Sequence, residues 1–397
     1  MKARVAIIGG GVMGVRTAWA CARRGAPSDL PVVLFERREL AAGSSGRSGA
    51  VLRQHYSSPV VAAMARDSLA EYSNLEQRTG RAIGFQRCGV LTIAGPRAPE
   101  LILRVRVNVA MQQRLGIDTR IVEAREIREL VPGIEVDDQA IAAYEPGGGF
   151  CDPLLTVDAF ADLARERGAK TQLGAPVRGV VVEAGRAVAV ETDQGRVDAM
   201  AIVLAAGPWT RPLLEALGCD MPLEVVRPRQ HFLDAPMKDA SQTAAHPVLL
   251  DMELGYYTRC EPSRERTRIG AIDYDGDAKL VDPDTLDERV DPEFTHWARG
   301  QLEQRMPVYR TRADQEAQAA WYTLTPDSQP ILGAVPGIEG LYIAAGFSGH
   351  GFKLAPSVGE GLAQLIFDEP LTAFDAEFFS PERFQKGSEA VSAPFGF

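Results

Sequence analysis

Long apolar runs are missing from this 397-residue chain, and so is a charged leader: "MKAR" passes directly into "VAII". No later stretch has the length a bilayer crossing needs, so the expectation is a soluble, cytoplasmic protein without a membrane span. Basic charge is also in deficit, with 43 Lys and Arg against 53 Asp and Glu. A nucleic-acid partner would need a clustered positive face, and none is visible. Cysteine is sparse and scattered, at Cys21, Cys88, Cys151, Cys219 and Cys260. No CxxC or Cys/His spacing is present, which leaves no zinc site and predicts reduced, mostly buried thiols. Internal repeats and low-complexity tracts are absent as well.

The chain does contain enough apolar material, 45% of its residues, for more than one core, and its length exceeds what one core usually supports. Within residues 4–8, Val5 to Ile8 form a continuous apolar run, as a strand buried on both faces should. A helix follows from about Val12 to Arg24, closed by Gly25, and a second buried strand, "PVVLFE", ends at Glu36. Strand, helix, strand at this length is a parallel βαβ unit. Beyond a Gly/Ser stretch, "AAGSSGRSGA", helices are predicted over about 58–80, 99–115 and the segment "EAREIRELVP". Hairpin-like strands end in the buried strand of "AIVLAAGPWT", and residues 223–320 read as an antiparallel sheet with inserted helices. A last buried strand, glycine-rich turn and helix lie in "GLYIAAGFSGHGFKLAPSVGEGLAQLI". The parallel pattern thus recurs in three separated pieces with antiparallel pattern between them. The fold class expected is α/β plus antiparallel β. One domain takes 1–80, 145–220 and 321–380; a second takes 81–144 and 221–320; 381–397 is a loosely held tail.

Gly9, Gly11 and Gly14 have the G-x-G-x-x-G spacing of a dinucleotide turn between a strand and a helix. The first permits the tight turn, the second lets backbone approach a pyrophosphate, and the third lets the helix pack close to the strand. The pyrophosphate would sit on the free N–H groups at the helix start. Glu36, ending the next strand, is placed to accept hydrogen bonds from both ribose hydroxyls and would repel a 2′-phosphate, which disfavours NADP. A nicotinamide dehydrogenase normally completes its sheet in one continuous stretch, whereas this chain returns to the sheet twice. FAD is therefore the expected cofactor.

Five segments in order, "VAIIGGGVMG", "GSSGRSGAVLRQHY", "VRPRQHF", "WYTLTPDSQPILG" and "GLYIAAGFSGHGFKLAPSVGE", carry a resemblance that runs through nearly the whole chain. The sequence resembles the D-amino-acid oxidase-like flavoproteins, most closely the glycine oxidase and sarcosine oxidase branch. The resemblance implies a Rossmann-type FAD-binding domain whose flavin faces the large antiparallel sheet of a substrate domain. It implies oxidation of an amine beside a carboxylate, an amino acid or N-alkyl amino acid. Hydride leaves the carbon next to nitrogen, the imine hydrolyses, and electrons pass to oxygen or another acceptor; a partner subunit is compatible with this.

By the same resemblance Arg53, in "VLRQHY", binds the substrate carboxylate, a task suited to a planar guanidinium fork. Lys353, in "GHGFKLAP", is the second carboxylate-binding cation and lies where the reduced ring gathers charge. Tyr257 is the substrate-facing tyrosine. Arg268, eleven residues later in "TRIG", stands where the branch has an oxygen-activating lysine, and Ile272 stands where it has a histidine; these departures put oxidase activity and sarcosine as substrate in question. The cofactor contacts expected are Gly9, Gly11, Val12, Met13, Gly14, Glu36 and Arg37; Ser44, Ser45 and Arg47; Val177, Ala206 and Gly207; and Gly346, Phe347, Ser348, Gly349, His350 and Lys353. His350 would orient its loop and is not a catalytic base. Ala320, and Gly46 or Arg47, occupy the places where relatives attach FAD through cysteine or histidine, so non-covalent FAD is expected. The substrate amine must be neutral to release hydride, and burial beside two cations would lower its ammonium pKa, so no protein base is required. Three rival functions remain at this point: a dehydrogenase passing electrons to an acceptor other than oxygen, a flavin-binding subunit for assembly or relay, and a nicotinamide enzyme.

Overall fold

Alternation along the first strand, Lys2–Ile8, sets the layering: Val5 and Ile7 enter one apolar core while Ala6 and Ile8 enter another. The structure is a computed structural model, and it describes residues 2–25, 27, 29–239, 242–243, 245–272 and 281–384. Lys2–Ile8 is central in a parallel layer whose order is Leu341–Ala345, Gly195–Leu204, Lys2–Ile8, Val32–Phe35 and Lys170–Gln172. Ile331–Ala334 adds an antiparallel edge, and the hairpin Val177–Glu183 with Arg186–Thr192 pairs onto Gly195–Leu204. Helices Val12–Arg23, Pro153–Glu166 and Ala355–Ile366 cover one face, burying Val15, Trp19, Phe160, Val358 and Leu362. Burial on both sides explains why Val5–Ile8, Val32–Phe35 and Ala201–Leu204 read as unbroken apolar runs.

The second sheet also has eight strands, in the order Asp314–Ala319, Arg229–Asp234, Arg266–Ala271, Tyr256–Glu261, Val248–Asp251, Val90–Ala94, Ile141–Glu145 and Arg120–Glu123. It is antiparallel as expected except at one pair: Val248–Asp251 runs parallel to Val90–Ala94. That pairing joins residues 158 positions apart, and no local pattern announces it. Helix Pro292–Arg305 packs Phe294, Ala298 and Leu302 against Leu233, Tyr256 and Ile269 on one face. On the other face Val90, Val248, Leu250, Tyr257 and Ile272 cluster with Phe150. That face borders the site described next.

The predicted helices form as Val12–Arg23, Pro59–Thr79, Pro99–Arg114 and Ala124–Leu130. Pro59 opens the second at a position where its missing N–H costs nothing, and Gly80, at φ +72°, closes it in the left-handed region. Part of the expected tail is anchored: Pro381–Phe384 forms a 3-10 turn, and Arg383 bonds Asp327 at 2.7 Å and the Gln329 carbonyl at 2.7 Å. The rest, 385–397, lies outside the described residues.

Candidate active site

Steric closeness at the first glycine turn shows why it is built without side chains. A Cβ on Gly14 would lie 1.9 Å from the Gly9 carbonyl oxygen, and one on Gly9, at φ +114°, would lie 2.3 Å from the Ala205 oxygen. Helix, turn and the Gly195–Leu204 strand are therefore in backbone contact. The Ser45 hydroxyl reaches in from the Gly/Ser segment and accepts the Val12 N–H at 3.0 Å, capping the helix from outside it. Glu36 is held by two N–H donors, Gly10 and Arg38, each at 2.8 Å. Its carboxylate oxygens keep lone pairs for a diol.

These groups line one long cleft of about 340 Å³. Of the expected cofactor contacts, Gly9, Gly11, Val12, Met13, Glu36, Arg37, Ser44, Ser45, Val177, Ala206, Gly207, Gly346, Phe347, Ser348 and Gly349 all line it. Gly14 lies beneath the turn and acts by letting the helix approach. The Arg47 and His350 side chains do not line it, and for each a better partner explains why. Arg47 bonds Glu288 at 2.5 Å and the Ala42 carbonyl at 3.0 Å, and stacks on Trp321. His350 is buried, its Nε2 2.7 Å from the Ser328 carbonyl; burial, with Lys353 nearby, lowers its pKa to about 3. It is therefore neutral and serves its own loop. Trp209, Asp284, Trp321 and Tyr322 also line the cleft and were not foreseen. Asp284 accepts both Arg37, at 2.7 Å, and the Trp209 indole N–H, at 2.8 Å.

A smaller chamber of about 40 Å³ shares Ser48, Gly349, Phe352 and Tyr322 with the cleft and so adjoins it. Here the structure brings together Arg53, Lys353, Tyr257 and Ile272, with Leu250 as an apolar wall. Arg53 is 2% exposed; its guanidinium donates to the His55 carbonyl and lies 4.2 Å from the centre of the Tyr56 ring. Lys353 Nζ is 3.4 Å from the His350 carbonyl. Burial, then the charge of Arg53, holds the Lys353 ammonium pKa well below its usual value. Glycines give Tyr257 its space: a Cβ on Gly270 or Gly49 would come within 2.7 Å or 3.2 Å of its ring.

Arg268 lines neither cavity, and the expectation that it faces the reacting atoms is corrected. Its Nε bonds Glu261 at 3.0 Å, and its Nη1 bonds the Gln230 amide oxygen at 2.7 Å and the carbonyls of Arg47 and Ser48 at 3.1 and 3.0 Å. Arg259, its register partner, bonds the same Glu261 at 2.8 Å, together with the carbonyls of Gly49 and Cys151. Arg266 takes the other Glu261 oxygen at 2.9 Å. Burial opposes ionisation of Glu261, but three guanidiniums outweigh it and hold the carboxyl at about 2. The cluster clamps the backbone of residues 47–49, in which Ser48 lines both cleft and chamber and Gly49 the chamber. Its sequence signal was period-two charge on facing strands, "TRCE" and "RTR".

A glycine turn, a strand-end carboxylate and the cleft they line define a dinucleotide-binding oxidoreductase, with a chamber lined by Arg53 and Lys353 at the cleft's border. Residues 4–365 match the family described as DAO, FAD dependent oxidoreductase, and the chain belongs to it. FAD is the family's cofactor, and the cradle suits it: turn glycines too close to backbone for any side chain, and a pinned carboxylate at Glu36. Among curated relatives, the chain is 29% identical over 390 residues to a 4-methylaminobutanoate oxidase (formaldehyde-forming) of Paenarthrobacter nicotinovorans, covering 96% of this chain and 45% of that protein. It is 28% identical over 391 residues to a monomeric sarcosine oxidase of Bacillus sp., covering 98% of both. Among solved structures, L-proline dehydrogenase from P. horikoshii is 26% identical, with a TM-score of 0.87 and coverage of 97% of this chain and 98% of that one. The chain thus spans less than half the length of the first relative and nearly all of the other two. Among the described residues no helix is long and apolar enough to cross a membrane, and no cluster of His, Cys, Asp and Glu could hold a metal ion.

Proposed function

We propose that the protein is an FAD-dependent amine oxidoreductase acting on an amino acid or N-alkyl amino acid, with Arg53 and Lys353 on the substrate carboxylate. The observation that carries this reading is the meeting of those two cations in a buried chamber adjoining the cofactor cleft. Bound FAD supplies two-electron oxidation: a hydride is taken from the carbon next to nitrogen, and water then hydrolyses the imine. The chain's own residues bind and orient. Arg53 offers a fork to the carboxylate, Lys353 a point charge, and Tyr257, Leu250 and Ile272 exclude water and bound the amine side. Burial beside two cations lowers the substrate ammonium pKa, so the rate rises with pH as one substrate group deprotonates. The glycine-turn cleft acts as the FAD domain and the second sheet as the substrate domain, in a soluble cytoplasmic protein. FAD is held without a covalent bond, since no Cys or His is among the residues lining the cleft. The test is an anaerobic panel of glycine, sarcosine, larger N-alkyl amino acids, D-amino acids and proline, scored by flavin bleaching. Bleaching by an amine without a carboxylate, and by none of these, overturns the roles given to Arg53 and Lys353.

A second reading concerns the acceptor. Arg268 occupies the place of the branch's oxygen-activating lysine but is engaged by Glu261, Gln230 and two backbone carbonyls. That engagement favours a dehydrogenase passing electrons to another acceptor or a partner subunit. Stopped-flow mixing of the reduced protein with air-saturated buffer decides it: slow reoxidation supports a dehydrogenase, and rapid reoxidation an oxidase.

A further inference from the structure

One buried acid behind the chamber is used by nothing above. Glu145 ends the strand Ile141–Glu145, is wholly buried, and accepts the Gln54 N–H at 2.5 Å on Oε1, with the Gln54 amide 3.5 Å from the same oxygen. Gln54 directly follows Arg53, so the strand end and the arginine's own turn are fastened together. The residues lining the chamber include no carboxylate; its ionisable groups are Arg53, Lys353, Tyr257 and Tyr322. Glu145 is thus the internal counter-charge to a pair of buried cations, and its charge acts on both Arg53 and Lys353.

We propose that Glu145 is a positioning residue that competes with the substrate carboxylate for Arg53 and Lys353, so that its ionisation weakens carboxylate binding and its protonation strengthens it. This rests on the chamber being the carboxylate site. When Glu145 is charged, the two cations are partly compensated before a ligand arrives, and an entering anion also meets a like charge in a low-dielectric setting. When Glu145 is neutral, both cations are left for the ligand. Burial raises the Glu145 carboxyl to about 7, against the Gln54 and His55 N–H groups and Arg53, so this exchange falls in the neutral range. The other groups facing this cluster do not share that range: burial takes His55 and His350 down to about 3 and Tyr56 up to about 12. Burial and the charge of Arg53 also lower the Lys353 ammonium pKa, and its titration is a step separate from that of Glu145.

The test is binding of acetate, an unreactive carboxylate, to the FAD-loaded protein from pH 5.5 to 8.5, read as perturbation of the flavin spectrum. Affinity is expected to fall as pH rises, by up to about tenfold per unit beyond the Glu145 midpoint. Glu145→Gln, which can still accept the Gln54 N–H, is expected to bind acetate as the wild type does at low pH and to lose the step near 7. Acetamide, which carries no charge, is expected to show no pH dependence in the wild type, a control that needs no variant. Acetate binding whose pH profile is the same in wild type and Glu145→Gln overturns the role of Glu145 alone. An absence of acetate binding at every pH overturns the chamber as carboxylate site, and this inference with it.

Discussion

Arg53 and Lys353 differ in what they can offer an anion, and the difference is measurable. A guanidinium fork makes two parallel bonds to one carboxylate, whereas an ammonium in the same place makes a single point contact. Arg53→Lys is expected to raise KM for a carboxylate substrate about 10- to 150-fold, the worth of one hydrogen bond to a charged group, with FAD content unchanged. Steady-state kinetics beside the flavin-to-protein absorbance ratio checks both halves of that statement. These residues were legible because each sits in a short recognisable motif. Glu145 was not: its partner Gln54 is 91 positions away, and the "YEPGGG" around it reads as an ordinary turn. Arg268 shows the opposite failure, since its motif was visible while its partners Glu261 and Gln230 decided where its side chain went.

Paired strands gather charge that no single residue controls. Tyr256–Glu261 and Arg266–Ala271 place Arg259 opposite Arg268 and Glu261 opposite Arg266, so one carboxylate neutralises part of three guanidiniums. Removing a buried partner leaves charges uncompensated, and Glu261→Gln is expected to cost about 3–5 kcal/mol at pH 7. The folded carboxyl sits at about 2, below the ordinary 4.5. Its stabilisation is therefore complete above about pH 4.5 and is lost as pH falls toward 2. Urea unfolding of both proteins from pH 2 to 7 should show the gap between them closing on the acid side; a gap that stays constant would assign the effect to packing. Element types were largely readable here because period and burial agree, as in Lys2–Ile8 and the 59–79 helix. Strand partners were less so, and the parallel pairing of Val90–Ala94 with Val248–Asp251 is set by tertiary contact.

At the scale of the molecule, the cleft proposed for the cofactor is lined by noncontiguous stretches, with Gly9–Met13, Ser44–Ser45, Ala206–Gly207 and Gly346–Gly349 meeting on it. Such a grip needs no covalent bond, and acid precipitation is expected to release all the yellow colour to the supernatant; colour retained in the pellet would show a bond to the chain. The same arrangement bears on how the protein is made. The strand Lys2–Ile8 pairs with Gly195–Leu204, far later in the chain, and that strand in turn pairs with Leu341–Ala345. A chain leaving the ribosome thus carries Lys2–Ile8 paired on one edge only, to Val32–Phe35, until residue 204 has emerged, and an incomplete sheet until residue 345. Pairings this distant are slow to close and leave sticky edges exposed in the interval. Yield of soluble protein should therefore depend on temperature and chaperone supply during synthesis far more than the stability of the finished fold would suggest.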